Sequence, residues 1–377
     1  MKPYKVVWRG PVGRLTGLGN ASRHYVKALR GQGVKVKVEG KRKRKTPPRP
    51  LAGKRVLVHH YTPNTINFKA ERKRFDRIIL NTVWETTRIP AAWRPYMNHF
   101  DAIFVPSKQN RRALIASGVK VPIYIVPHGV NSRAYHPKNA KFHLRNDAGK
   151  FVFLSVFTFQ HRKNPEGLLR AYWKEFKAKE PVLLVIKTSG INGKSELSIK
   201  RKIRAYKASL GLTGGKTAPV IIIGRHLQDK KLKGLYTRAN AFVLPTRGEG
   251  VGLPFLEALA SGTPVIATRW GGHMDFLHAG NSFPVKYTLR NPRVSMNSKH
   301  AIAYRFRYLF AQPHQRWAEP NITSLRKQMR AAFHNPALCR KKGKQGRKDV
   351  KPLTWKHAGQ TMKQAIEKVI ARGGKKA

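Results

Sequence analysis

The sequence predicts an α/β protein made of two doubly wound, parallel-sheet units. Three observations lead there. Short apolar strands alternate with helical stretches up to about residue 126, and a second series of the same kind starts at residue 151. Between them lies HPKNAKFHLRNDAGK (residues 136–150), polar and without a clear period, as an interdomain linker would be. A chain of 377 residues also exceeds what one ordinary core organises. The expected units are residues 1–143 and 144–352.

Each element has its own signal. Tyr4–Trp8 reads as a strand, and a glycine-rich turn follows. Ala21–Arg30 places Tyr25, Val26 and Leu29 at helical spacing. Val34–Val38 alternates apolar and basic residues, as a half-exposed strand does. GKRKRKTPPRP (residues 40–50) is basic and proline-rich and reads as a loop, or more sharply as a nucleic-acid-binding tail. Strands are expected at Val56–His59, Ile78–Val83, Ala102–Val105 and Ile123–Val126. In the second series Phe151–Phe157, Val182–Lys187, Val220–Ile223, Ala241–Leu244 and Pro264–Thr268 are strands. Pro165–Lys177 and Leu253–Ala260 are helices, each with a proline suited to its first turn. Late helices are expected over Ser298–Gln312, Ile322–His334 and Thr354–Ala371.

Composition narrows the function classes. Hydrophobic residues make up 41%, which with seven Trp fits a folded chain. No apolar run approaches the roughly 20 residues of a membrane span. The start, MKPYKVVWRG, enters a strand directly, without a signal-peptide apolar core, so a cytoplasmic location is expected. One cysteine, Cys339, excludes an internal disulfide and a cysteine-based metal cluster. Lys and Arg number 77 against 17 Asp and Glu, a formal charge of +60 spread over the whole length. Such a charge suits a polyanionic neighbour: nucleic acid, an anionic membrane at the inner face, or an acidic glycopolymer. It is equally compatible with a basic composition that serves no dedicated partner.

In a chain so poor in acids, RGEGVGLPFLEALASGTPVIAT (Arg247–Thr268) keeps Glu249 and Glu257 eight positions apart. Phe242–Pro245 ends a strand, TRGEGVG is the loop after it, and Leu253 opens a helix. Glycines let backbone approach a ligand closely, and the helix start offers N–H groups and a positive dipole end to an anion. Glu249 in the loop and Glu257 one turn into the helix supply acceptors for sugar hydroxyls. The plainer alternative is a capping acid and a surface helix acid.

This E-x7-E block resembles the donor site of glycosyltransferase family 4. NTVWETTRIPAAWRPYMNHFDAIFVPS (Asn81–Ser107), SGVKVPIYIVPHGVN (Ser117–Asn131) and SVFTFQHRKNPEGLLRAYWKEF (Ser155–Phe176) are similar to other parts of that family. The resemblance implies a GT-B fold: two Rossmann-like units facing a cleft, an N-terminal acceptor domain and a C-terminal nucleotide-sugar domain. Residues 353–377 would then cross back as a helix onto the N-terminal domain. It also implies transfer of a hexosyl group from a nucleotide diphosphate-sugar with retained anomeric configuration. By position, Glu249 would hold the donor sugar's hydroxyls and Glu257 the ribose. The backbone at Gly250, Val251, Gly252 and Leu253 would meet the diphosphate, and Arg162 and Lys163 would grip it. Base contacts are expected from backbone near Arg225–Leu227, with His226 among the donor-binding residues.

Two further features face the same chemistry. Gly13, Gly17 and Gly19 in GPVGRLTGLGNASRHYV resemble the family's N-terminal glycine loop, though a tight turn capped by Asn20 also fits. His59 and His60 stand at a strand end, where family members often present a histidine to the donor sugar; half-buried structural histidines fit equally. Glu85 in VWETTRIP has two readings, an acid near the acceptor or a buried structural one. No D-x-D pair is present, and His161, His226 and His273 lack metal-ligand spacing, so neither metal nor cofactor is expected beyond the donor substrate. The acceptor is left open: a glycan or glycolipid precursor, or modified phage-type DNA. From another class, a non-catalytic polyanion-binding protein on the same scaffold also fits.

Overall fold

The computed structural model describes residues 3–40, 53–145, 147–190, 195–213 and 215–372. The basic stretch read as a loop lies, from residue 41 onward, outside the described residues. The chain divides into two compact units: Met1–Gly129 with Pro352–Ala377, and Val130–Lys351. The first crossing therefore falls ahead of the polar stretch 136–150, which belongs to the second unit. Phe142 donates its N–H to Gly234 O at 2.9 Å, and Arg347 bonds the carbonyl of Tyr135 at 3.2 Å.

In the first unit six strands form one parallel sheet. They are β1 (Tyr4–Arg9), β2 (Lys35–Glu39), β3 (Lys54–His59), β4 (Arg77–Asn81), β5 (Ala102–Val105) and β6 (Ile123–Ile125). Their order is β2-β1-β3-β4-β5-β6. Val6, Trp8, Val56, Val58, Ile79 and Phe104 bury one face beneath two helices, Gly17–Arg30 and Trp355–Ala371. These helices approach closely because Gly359 has no side chain: a Cβ there would lie 2.7 Å from the backbone of Ala28. The buried Arg77 guanidinium bonds the carbonyls of Val369 (3.1 Å) and Ile370 (3.2 Å), satisfying acceptors that a helix end leaves open. Arg9 and Arg74 share Glu71 and Glu39, each contact at 2.8–3.1 Å.

The second unit repeats the plan. Its strands are β7 (Phe151–Thr158), β8 (Val182–Ser189), β9 (Val220–Ile223), β10 (Ala241–Leu244), β11 (Val265–Thr268) and β12 (Ser282–Val285). The order is β12-β11-β10-β7-β8-β9, again all parallel. A short antiparallel pair follows, β13 (Tyr287–Arg290) with β14 (Trp317–Pro320). The near-continuous apolar runs of β7, β8 and β10 reflect burial on both faces, the hallmark of a parallel sheet between helices.

Several expectations need correction. The first helix starts at Gly17 rather than Ala21, because the Thr16 hydroxyl caps it by accepting from Gly19 N at 3.2 Å; Asn20 lies inside the helix. Ser298–Gln312 is not a helix beyond the single turn Arg307–Phe310. Tertiary hydrogen bonds hold the rest open: Ile302 N to Glu166 Oε1 (3.1 Å) and His161 N to Tyr304 O (2.8 Å). The pair β13–β14 and the helices Glu196–Ser209, Asp229–Arg238 and Pro336–Val350 were not anticipated. No helix of the described residues is long and apolar enough to cross a membrane.

In each sheet the chain reverses its direction of travel once: between β1 and β3 in the first unit, and between β7 and β10 in the second. Open α/β sheets bind ligands at such switch points, beyond the carboxyl ends of the strands. The loops to inspect are therefore those after β7 and β10, and those after β1 and β3.

Candidate functional site

At the second unit's switch point the two loops are stapled together. After β7 comes a short turn, His161–Lys163, then Asn164 in the left-handed region (φ 56). The Asn164 amide caps the helix Pro165–Glu175 by accepting from Gly167 N (3.1 Å), and it donates to Pro245 O (3.0 Å) in the loop after β10. Arg247 N and the Thr246 hydroxyl both bond Arg162 O, at 2.8 and 3.1 Å. Uncharged hydrogen bonds to backbone carbonyls thus tie the two loops together before any charge is considered.

Glu249 is the electrostatic centre of this arrangement. It is only 4% exposed. The Lys163 ammonium bonds its Oε1, and the Arg162 guanidinium lies 3.4 Å from Oε2 while donating to Gly248 O. Burial by itself raises a carboxyl pKa; the charges of Lys163 and Arg162 outweigh it and hold Glu249 down to about 2. Its carbonyl accepts from Gly272 N at 2.8 Å. Three residues on, Gly252 (φ +83) turns the chain into the helix Leu253–Ala260, whose start has no side-chain cap and a proline in its first turn. A Cβ on Gly252 would fall 2.4 Å from the Phe255 ring, so both backbone conformation and packing demand glycine here. Two cations, one buried carboxylate and an uncapped helix start are thereby gathered in one place. Such a set can receive a hydroxyl-bearing ring next to an anionic phosphate.

Glu257 is half-buried on that same helix. Burial raises its pKa against the hydroxyls of Tyr236 and Tyr135, and Tyr236 donates to Oε2 at 2.7 Å. Sequence reasoning did not foresee this tyrosine pair.

It also missed the layer behind Glu249. Arg247 Nε meets both oxygens of Glu319 on β14, at 3.0 and 2.9 Å, and its guanidinium lies over the Trp317 ring, 5.7 Å from the centroid. On its other side NH1 stands 3.7 Å from Glu166 Oε2, and His161 Nδ1 lies 2.9 Å from Glu166 Oε1. Burial lowers the His161 pKa, and Arg247 adds to the effect. The His161 hydrogen bond and the Arg247 charge overcome burial to keep Glu166 ionised. A usable signal existed: acids are so scarce in this chain that each one invites the question of which cation it balances.

The other candidate residues take no part in this charge cluster except His273, which stands close enough to feel the Glu249 charge. His226 is exposed in the loop after β9, where the N–H groups of Gly224 and Arg225 are already taken by Glu196 Oε2 (2.7 and 3.1 Å). His273 is buried, its Nε2 2.7 Å from Thr268 O. At the first unit's switch point, Gly17 opens a helix with open space around it, as Gly13 has, whereas Gly19 is packed against Arg14 O and Pro11 O. Glu85 is half-buried. His60 is 2% exposed, its Nδ1 2.6 Å from Ser22 Oγ and its ring edge-on to Trp8. Burial lowers its pKa to about 3 and that of His59 to about 4. Neither ring titrates near neutral pH. Among the described residues no group of three or more His, Cys, Asp or Glu is placed to hold a metal ion.

Comparison with known proteins bears on the family and the fold. Residues 137–286 match the family described as glycosyl transferases group 1. D-inositol 3-phosphate glycosyltransferase of Acidothermus cellulolyticus is 31% identical over 168 residues, 42% of this chain and 36% of that protein. Alpha-monoglucosyldiacylglycerol synthase of Streptococcus pneumoniae is 25% identical over 184 residues, 46% of this chain and 38% of that one. The chain thus spans little more than a third of these relatives' lengths. Two solved structures share the fold along nearly the whole chain. Sucrose-phosphate synthase from Thermosynechococcus elongatus has a TM-score of 0.68 at 17% identity, covering 98% of this chain and 100% of its own. Anabaena HepE, solved with UDP and glucose, has 0.67 at 12%, covering 97% and 99%. The expected GT-B fold of two Rossmann-like units is therefore the fold of this chain. The match to the glycosyl transferases group 1 family, residues 137–286, takes in both acids of the E-x7-E block and the Arg162–Lys163 pair.

Proposed function

We propose that this chain is a glycosyltransferase that moves a sugar from a nucleotide diphosphate-sugar to an acceptor hydroxyl, with the anomeric configuration retained. The observation that carries this reading is the buried, ionised Glu249, held by Lys163 and Arg162 beside an uncapped helix start at the second unit's switch point. In the proposed reaction the bond between the sugar's anomeric carbon and the diphosphate oxygen breaks. Lys163, Arg162 and the helix start stabilise the charge developing on that oxygen, so the task does not require a metal ion. The acceptor oxygen bonds the anomeric carbon from the same face, and its proton passes to the departing diphosphate. Glu249 orients the sugar through its hydroxyls and is not assigned a covalent role. Glu257, in company with Tyr236, takes the ribose hydroxyls. His59 and His60 receive no part in transfer, since both are buried and hydrogen-bonded or ring-packed within the first unit. A glycan or glycolipid precursor is the proposed acceptor, and the chain's positive charge suits work at the inner face of an anionic membrane.

The test begins with a thermal-shift screen of UDP-, GDP- and ADP-sugars at moderate ionic strength, because a bound donor raises stability by mass action. Transfer with the donor so identified should fall at least roughly tenfold in Glu249→Ala and in Lys163→Ala, about 1.4 kcal/mol of barrier. Turnover at the wild-type level in both variants would remove the site assignment. Failure to bind any nucleotide-sugar would point instead to a non-catalytic polyanion-binding protein.

A further inference from the structure

The strand β13 and the segment joining it to β14 lie beyond the family match, which ends at residue 286. From residue 287 to 316 it carries Arg290, Arg293, Lys299, Arg305, Arg307 and Arg316, and no Asp or Glu. At its centre is YRFRY (Tyr304–Tyr308), where aromatic and arginine residues alternate. Tyr304 is 42% exposed and Tyr308 69%, two of the few large hydrophobic side chains exposed among the described residues. Phe306 between them has φ 37, ψ 49, a left-handed conformation that a bulky residue rarely takes. Strain of this kind persists only where the surroundings hold it, and it concentrates at ligand sites.

The surroundings that hold it are those of the donor loop. Tyr304 forms a parallel bridge with Gln160; its carbonyl accepts from His161 N (2.8 Å), and its N–H lies 3.4 Å from Phe159 O. Two residues further along that loop is Arg162. The guanidinium of Arg305 bonds Ala301 O (3.0 Å), and that of Arg307 bonds Asn297 Oδ1 (2.7 Å) and Met296 O (3.1 Å). All these partners are uncharged, and neither arginine forms a salt bridge among the described residues. Neither charge is neutralised by a carboxylate among the described residues, so both remain open to an anionic group.

We propose that Tyr304–Tyr308 is a binding site for an acidic oligosaccharide, a pyranose chain bearing carboxylate or phosphate groups. Sugar rings present C–H faces that lie against exposed tyrosine rings, and Arg305 and Arg307 pair with the acidic substituents. Single-stranded nucleic acid would also meet aromatic rings and arginines, but it stacks successive bases on ring faces it can follow in line. Here Tyr304 and Phe306 cross at 79° with centroids 4.5 Å apart, and Phe306 and Tyr308 at 60° and 6.1 Å. Crossed faces make a corner that seats one ring and turns the chain, which favours the saccharide. The anchor on the Gln160–His161 backbone places the bound chain beside the loop carrying Arg162 and Lys163.

The proposal goes beyond sugar transfer and is tested without a donor, so either reading can fail alone. Binding of a galacturonate hexamer, of neutral maltohexaose and of a short oligothymidylate is measured by calorimetry on the full chain. About 0.3 M salt is used, where screening weakens diffuse attraction. Tyr304→Ala with Tyr308→Ala keeps every charge, so a general polyanion attraction survives it. The expected result is hexagalacturonate affinity at least tenfold lower in that double variant and retained in Tyr304→Phe with Tyr308→Phe. Tyr308→Ala alone, at a position largely in solvent, should weaken binding severalfold and leave the melting temperature unchanged. Arg305→Gln with Arg307→Gln should abolish the preference for the acidic over the neutral hexamer. Unchanged hexagalacturonate affinity in both tyrosine-to-alanine variants would overturn the proposal. So would oligothymidylate binding more tightly than the hexamer and being lost in the same variants.

Discussion

Replacing Glu249 by glutamine keeps the side chain's shape and removes its charge, leaving the Lys163 ammonium and the Arg162 guanidinium facing each other in a buried place. The structure sets the size of the effect. Glu249 is held near pKa 2, against an ordinary 4.5, by those two cations. That difference corresponds to roughly 3 kcal/mol of native-state stability at neutral pH, within the range for breaking a buried pair from one side. The sign follows from the depressed value: the contribution is fully present above about pH 4.5 and is lost as pH falls towards 2. Urea unfolding of wild type and Glu249→Gln, with amide exchange in β7 and β10 reporting on the second unit, should show a gap of about 3 kcal/mol at pH 7. Below pH 4.5 the gap should close by up to about 1.4 kcal/mol per pH unit. Other carboxyls titrate there too, but they are common to both proteins and cancel in the difference. Adding Lys163→Met to Glu249→Gln should restore part of the loss, since it removes the stranded charge. A gap that stays constant from pH 7 to about pH 2.5, or is negligible at pH 7, would refute this account of how the site is held together.

Other outcomes follow from the same geometry. Gly252→Ala forces a Cβ onto the Phe255 ring at a positive φ; it should cost about 1–3 kcal/mol in urea unfolding and weaken nucleotide-sugar binding in calorimetry. Tyr236→Phe removes the hydroxyl that bonds Glu257 Oε2, with an expected loss of about 1 kcal/mol. In the same variant the Glu257 pKa should rise further, readable by carbon-detected NMR of the carboxyl, because a hydrogen bond favouring the ionised form is gone.

Local chemistry made much of the second unit legible. The helix Leu253–Ala260 and the strands Val220–Ile223 and Ala241–Leu244 were read with their observed bounds, because glycine, proline and uninterrupted apolar runs mark them. Ser298–Gln312 failed because its backbone is claimed by Glu166 and by the loop after β7, partners more than a hundred residues away. The Arg162, Lys163 and Glu249 grouping was anticipated through a resemblance, whereas Arg247, Glu166 and Glu319 were passed over. Their meaning depends on β14 reaching the loop after β10, through Ala318 N to Arg247 O (2.9 Å), and no periodicity announces that contact. The surroundings of His59 and His60 are illegible for a related reason: they stand at a strand end, and only packing shows that Trp8, Ser22 and Phe100 surround them.

The helix Trp355–Ala371 contributes Ala358, Met362, Ala365, Ile366 and Val369 to a core otherwise built from residues 6–126. During synthesis that core therefore stays incomplete, lacking the part that Trp355–Ala371 covers, while the ribosome makes all of Val130–Lys351. The later-made unit, being contiguous, completes its own core sooner. A nascent-chain chaperone would find its longest-lived target on the helix Gly17–Arg30, at the stripe around Ala28 that Gly359 eventually covers.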